Sequence, residues 1–195
     1  MTMHYINPHL PLPLSLDGTY STNNCGMPLY AFLAEDGNGR GQIVALFLLS
    51  GESMCNIQSM VESFSSANPA IAQTKTVITD KDFSEIAALE AALPHVAVQL
   101  CTFHCITAVN RKISTLTEPN ETKQNMNSLF RKLIYAKDTD AFNEIATDIE
   151  STSQSFHDYL TQNWYSNKQR LVHFLTKSRG KLKPHNHKPL GKSVP

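Results

Sequence analysis

The sequence predicts an α/β fold with a mixed five-stranded sheet in the order βββαβαβα, followed by a helical region. Three observations carry this reading. Three strand-like apolar segments open the chain, separated by turns rich in Gly and Asn. Two short segments of strand character then alternate with stretches of helical periodicity. From Glu121 onward the periodicity is helical, until it dies out in a basic end.

The opening, through Pro8, Pro11 and Pro13, excludes a helix interior, because proline removes a donor and clashes with the preceding turn. Leu14 to Tyr20 (LSLDGTY) reads as the first strand, with Leu14 and Leu16 on one face and Ser15 and Asp17 on the other. Thr22-Asn-Asn-Cys-Gly is turn chemistry. Pro28 to Glu35 is the second strand, closed by Asp36-Gly-Asn-Gly-Arg-Gly. Gln42 to Leu49 (QIVALFLL) is the third, and its unbroken apolar run predicts a strand covered on both faces. Short turns between these three predict an antiparallel meander.

Ser53 to Ala67 places Met54, Ile57, Met60, Val61 and Phe64 at helical spacing, with Ser53 as its N-cap. Thr76 to Thr79 is the fourth strand. Asp82 to Ala92 follows as a helix with Phe83, Ile86, Ala87 and Leu89 inward, ended by Pro94. Val96 to Leu100 is the fifth strand, and Cys101 to Ile113 restarts a helix. Strands reached through helical crossovers lie parallel to a neighbour already in the sheet, so the sheet is mixed. Four further helices are expected at Met126 to Ala136, Thr139 to Glu150, Ser155 to Trp164 and Asn167 to Leu175. The expected division is a core over 1–113, a helical extension over 114–176 and a basic tail over 177–195.

Composition bounds what the chain does. Hydrophobic residues make up 41% and charged residues 17%, enough apolar material for a packed interior and too little charge for a disordered chain. Seventeen basic residues balance seventeen acidic ones, so net charge gives no global argument for a nucleic-acid or membrane partner. The asymmetry is local: no acid follows Asp158, while Lys168, Arg170, Lys177, Arg179, Lys181, Lys183, Lys188 and Lys192 accumulate. Lys177, Arg179, Lys181 and Lys183 are candidates for weak phosphate contact and for a nuclear-import signal, against the simpler reading of a solvated tail. The longest apolar run, Ile43 to Leu49, is far short of the roughly 20 residues that span a bilayer, so no membrane partner is expected. Four cysteines without a secreted-scaffold spacing, and no leader pattern, point to reduced thiols in the nucleus or cytoplasm.

This strand and helix order is that of the RNase H-like fold, whose first strand lies at the sheet centre with the fourth beside it. Carboxylates on those two strands then converge, and the positions hold Asp17 and Asp80. Two close carboxylates require a shared proton or divalent cations, and oxygen ligands suit Mg²⁺ or Mn²⁺. The plainer alternative is local: Asp17-Gly-Thr begins a turn, and Thr79-Asp80-Lys81-Asp82 caps a helix. Cys101-x-x-His104 supplies two zinc-type ligands where a closed structural site needs four. Cys105 and His157 are further candidate ligands, but no C-x-x-C partner exists, so structural zinc is not expected.

The blocks LDGTYSTNNCGMPLYAF, EDGNGRGQIVALFLLSGES and VITDKDFSEIAALEAALPHVAVQLCTFH resemble the MULE-type transposase domain. They are most similar to the RNase H-like region of SWIM zinc-finger domain-containing proteins. The resemblance runs from about Leu14 to Ile113 and, more loosely, to Trp164. It implies a core that in active relatives uses two Asp and a later Glu to hold divalent metal for strand cleavage and transfer. Asp17 and Asp80 match the first two positions, Asp82 looks like a helix-starting residue, and Cys101 and His104 match a signature near the catalytic face. The third acid of the family follows an Asn-Trp block, here Gln162 to Tyr165, after which this sequence has no acid. Glu144, Asp148, Glu150 or Asp158 are the candidates to replace it. The ligand set of a SWIM finger is absent from the sequence. The resemblance therefore implies a transposon-derived module, catalytically impaired and nuclear, with DNA or protein as partner. The alternatives are an active metal-dependent phosphoryl transferase and a fragment without a function of its own.

Overall fold

The computed structural model describes residues 13–19, 23–35 and 40–172. Five strands form one sheet: β1 (Leu14–Thr19), β2 (Leu29–Glu35), β3 (Gly41–Leu48), β4 (Thr76–Thr79) and β5 (Ala97–Leu100). They lie in the order β3-β2-β1-β4-β5, which puts the first strand at the centre with the fourth beside it. β1 and β2 pair antiparallel, from Leu14↔Ala34 to Thr19↔Leu29. β2 and β3 are also antiparallel, with a bulge between Phe32 and Leu33. β1 and β4 pair parallel, Leu14 with Val77 and Ser15 with Ile78. The sheet is mixed, as the crossover argument requires.

Register separates the two faces. Leu14, Leu16 and Gly18 share one face with their cross-strand partners Ala34, Phe32 and Tyr30. Two helices cover that face, α1 (Met54–Ala67) and α2 (Phe83–Ala92), which pack on each other. Phe32 is fully buried and stacks on Phe64 of α1, with centroids 4.1 Å apart and ring planes within 7°. Ser53 caps α1 by accepting from the Asn56 amide. Ile57, Met60, Val61 and Phe64 face inward, whereas Met54, in the first turn, is 42% exposed. The expectation for Met54 is corrected: it lies at the very start of the helix, beyond the sheet it was to cover.

Two further expectations fail for reasons of position. β3 is not covered on both faces. Val44 and Ala45 are buried, but Ile43, Leu46 and Leu48 are exposed, because they pair with Leu33, Ala31 and Leu29 on the face that carries Asp17, away from α1 and α2. Apolar sequence alone does not show which face of a strand the helices cover. In α2, Phe83 does not face inward. It is 67% exposed, and Glu85, Ile86, Ala88 and Leu89 form the buried stripe. The helix starts at Phe83, so its first residue lies at the rim and the inward face begins two residues later. A 3-10 turn at Pro69–Gln73, between α1 and β4, was not foreseen.

The chain divides into two compact units, with the break between Gln99 and Leu100. The second is helical: α3 (Thr102–Ser114), α4 (Asn120–Ile134), α5 (Thr139–Thr152), α6 (Gln154–Asn163) and a short α7 (Lys168–Leu171) after a 3-10 turn at Tyr165–Asn167. α4 starts six residues earlier than its apolar stripe, since its first turn is polar and exposed. Consecutive helices pack on one another from α3 to α6. Met126, Phe130, Ile134, Ile149, Phe156, Leu160 and Trp164 make the core of this unit, with Phe130 edge-on to Trp164 at 6.0 Å. Asp138 caps α5 through the Ala141 amide, and Ser153 caps α6 through the Phe156 amide. Glu118 accepts from the hydroxyls of Ser153 and Ser155 and so ties the start of α6 to the segment ahead of α4. No helix of the described residues is long and apolar enough to cross a membrane.

Phe32→Ala removes the ring at the centre of the helix-covered face, and large-to-small changes at such sites cost about 3–5 kcal/mol. Denaturant unfolding followed by circular dichroism should show a loss of that size, while a change under about 1 kcal/mol would contradict the stacking described.

Candidate functional site

The site is built by the central pair of strands. Asp17 belongs to β1, on the face away from α1 and α2, and its cross-strand partner on β2 is Ala31. Asp80 follows the last residue of β4. The parallel register pairs Ser15 with Ile78, and the same register continued by two residues past the end of the ladder would set Asp17 level with Asp80. Both are half-buried. Asp17 lies on the face opposite the covering helices, and Asp80 follows the end of the neighbouring strand.

Asp82 has the role its place in the sequence suggested. Its carboxylate caps α2, accepting from the amides of Ser84 at 2.7 Å and Glu85 at 3.0 Å. This leaves Asp80 outside the cap and resolves the T-D-K-D block into two functions, one acid at the strand end and one at the helix start. Lys81 lies with its ammonium 5.9 Å from the centre of the exposed Phe83 ring.

Sequence reasoning missed Glu85. It lies in the first turn of α2, only 4% exposed, on the sheet face away from Asp17. The Thr79 hydroxyl donates to its Oε2 at 2.5 Å, and Tyr30 is its other hydrogen-bonding neighbour. A Cβ placed on Gly18 would come 3.1 Å from the Tyr30 ring and 3.5 Å from Glu85 Oε1, so glycine leaves this pocket open. Burial pushes the Glu85 carboxyl up to about 7; the bonds from Thr79 and Tyr30 oppose the rise, and the charges of Asp80 and Asp82 add to it. The available signal was an acid three and four residues before Ala88 and Leu89, inside an apolar stripe.

The remaining candidates stand as follows. Cys101 precedes α3 and is buried, and His104, in the first turn, is half-buried. Cys101 Sγ and a His104 ring nitrogen lie within 4.8 Å of each other, which keeps the pair available as two ligands. Cys105 is buried in the same helix and forms no disulfide. His157 lies edge-on to Tyr165 at 6.0 Å. Glu144, Asp148 and Glu150 on α5 and Asp158 on α6 are all exposed in the helical unit. Lys177, Arg179, Lys181 and Lys183 lie outside the described residues.

The family model for the RNaseH-like domain of zinc finger SWIM domain-containing protein 1/3 matches residues 2–99. The chain belongs to this family. The match covers all of β1 to β4 and both helices of the sheet unit, and includes Asp17, Asp80 and Glu85. It ends before Cys101 and His104, so the C-x-x-H block lies beyond the matched span. In this RNase H-like domain Asp17 lies on the central strand and Asp80 directly follows its parallel neighbour.

Glu85 makes the stability of the domain depend on pH. Its folded value near 7 exceeds the ordinary 4.5, so the folded state binds more protons between these values. Stability should therefore fall as pH rises from about 4.5 to about 7, by up to about 3 kcal/mol, and stay level above that as far as this group is concerned. Urea unfolding at a series of pH values should show the fall in the wild type and its loss in Glu85→Gln. An identical profile in both proteins would contradict the assignment.

Proposed function

We propose that this RNase H-like domain binds a divalent cation through Asp17 and Asp80, contacts a nucleic-acid backbone through that ion, and is impaired in strand cleavage. The reading is supported by the parallel pairing of β1 with β4, whose register, continued from Ser15 and Ile78, leads to Asp17 on one strand and Asp80 at the end of the other. Their donor set fits a hard cation, since carboxylate oxygens suit Mg²⁺ or Mn²⁺ and adjacent acids gain from charge neutralisation. Such an ion would supply Lewis-acid stabilisation of a phosphodiester oxygen. Impairment is supported by the geometry of the next acid. Among the described residues of the sheet unit, Glu85 is turned to the far face and engaged by Thr79. Two carboxylates alone underfill a two-metal site. A nuclear place of action and a transposon origin accord with a nucleic-acid partner and with the basic residues Lys177 to Lys183.

Thermal unfolding with and without Mn²⁺ tests this reading on the wild type, Asp17→Asn and Asp80→Asn. An ion at 100 times its Kd stabilises the folded state by about 2.7 kcal/mol, so the wild type should gain several degrees and both variants should lose most of that gain. A wild type indifferent to Mn²⁺, or variants that respond as the wild type does, would overturn it. Cleavage of single- and double-stranded substrates should stay at background; Mn²⁺-dependent turnover abolished by Asp17→Asn would instead establish an active enzyme.

A further inference from the structure

Glu85 is the one buried acid among the described residues, and the reading above gives it no part. Its surroundings are defined on every side. From β4, Thr79 donates to Oε2. From β1, Gly18 opens the space facing Oε1. From β2, the Tyr30 hydroxyl approaches, and that hydroxyl also donates to Glu52 Oε1 at 3.3 Å. Of the charged groups, Asp80 at the end of β4 acts on it most and Asp82, the cap of α2, next. The ionisable groups of α1, Cys55 and Glu62, are exposed, and Asp17 occupies the opposite face of the sheet.

Burial favours the uncharged form of this carboxyl. Thr79 donates to its Oε2, and the Tyr30 hydroxyl, which also reaches Glu52, is its second partner. The residues it grips are the immediate neighbours of the candidate site: Thr79 precedes Asp80, and Tyr30 is the cross-strand partner of Gly18, which follows Asp17.

We propose that Glu85 is a positioning residue, an uncharged carboxyl that ties Thr79 to Tyr30 behind the sheet and so fixes the strand ends that carry Asp80 and Asp17. The inference rests on the divalent-cation reading for its consequence, but the clamp itself is a property of the sheet. Neutrality matters as much as the bonds. A third negative charge behind Asp80 would add repulsion to a site that already places two acids together.

The test uses the full chain as wild type, Glu85→Gln, Glu85→Ala and Thr79→Val. Glutamine keeps the shape and both bonds, its carbonyl accepting from Thr79 and its amide donating to Tyr30; alanine breaks both, and Thr79→Val breaks one from the other side without emptying the pocket. Amide hydrogen exchange is measured first, without metal. Glu85→Ala and Thr79→Val should speed exchange at residues 17–19 and 78–80 by about tenfold or more, with Ile57 to Phe64 unchanged, and Glu85→Gln should match the wild type. Mn²⁺ affinity, measured by titration, should fall by about tenfold or more in the first two variants and be retained in Glu85→Gln. If Glu85→Ala fails to fold, Thr79→Val and Glu85→Gln decide the matter. Wild-type exchange at the strand ends in Thr79→Val, or damage in Glu85→Gln equal to that in Thr79→Val, would overturn the clamp. A wild type that binds no Mn²⁺ would sink the metal reading alone, since the exchange measurement judges the clamp without it.

Discussion

The parallel pairing of β1 with β4 is the constraint from which the candidate site follows. Leu14 against Val77 and Ser15 against Ile78 set the phase of both strands, and side-chain alternation does the rest. A slip of one residue would turn Asp17 toward α1 and α2, where Phe32 and Phe64 stack, and expose Leu16 in its place. Burying an unpaired carboxylate in that layer would cost several kcal/mol, so the apolar core enforces the register that brings the acids together. Packing on one face of the sheet thereby determines chemistry on the other.

Three acids gather around this pair of strands with different environments. Asp17 and Asp80 are half-buried, Asp17 on the face away from α1 and α2. Glu85 lies behind, dehydrated and gripped by hydroxyls. Asp82 spends its charge on the helix start, where the exposed amides of α2 favour it. Similar carboxyl chemistry thus serves a ligand-like pair, a buried hydrogen-bonding post and a cap, and the surroundings decide which. This division also accounts for Gly18, whose missing side chain leaves room for Tyr30 and Glu85 to meet behind Asp17.

Much of this was readable in the sequence, and the exceptions share a cause. The succession of strands and helices follows from alternation, turn chemistry and crossover rules applied to short apolar segments, and the central place of β1 is what the RNase H-like fold with that succession implies. Capping by Ser53 and Asp82 was readable because a cap is a local interaction between neighbours in sequence. The failures concern which side of an element meets what. Leu46 and Leu48 are as apolar as Val44, and only the register reveals that they lie on the sheet face away from α1 and α2. Phe83 and Glu85 exchange the places their polarity suggests, because the start of α2 fixes the phase and because Thr79 and Tyr30 make an acid tolerable inside. Compensation of that kind comes from residues distant in sequence, so it leaves no local pattern. The third acid was sought after Trp164 along the family's order, whereas the buried acid of the sheet unit is Glu85, five residues after Asp80.

The central claim is that Asp17 and Asp80 together form the cation site, and paramagnetic broadening tests it most directly. Substoichiometric Mn²⁺ added to isotope-labelled protein weakens signals steeply with distance from the ion. The account predicts that the resonances of Asp17 and Asp80 and their immediate neighbours on β1 and β4 broaden first, while those of α1 persist. Broadening that begins elsewhere and leaves both aspartates sharp would contradict it.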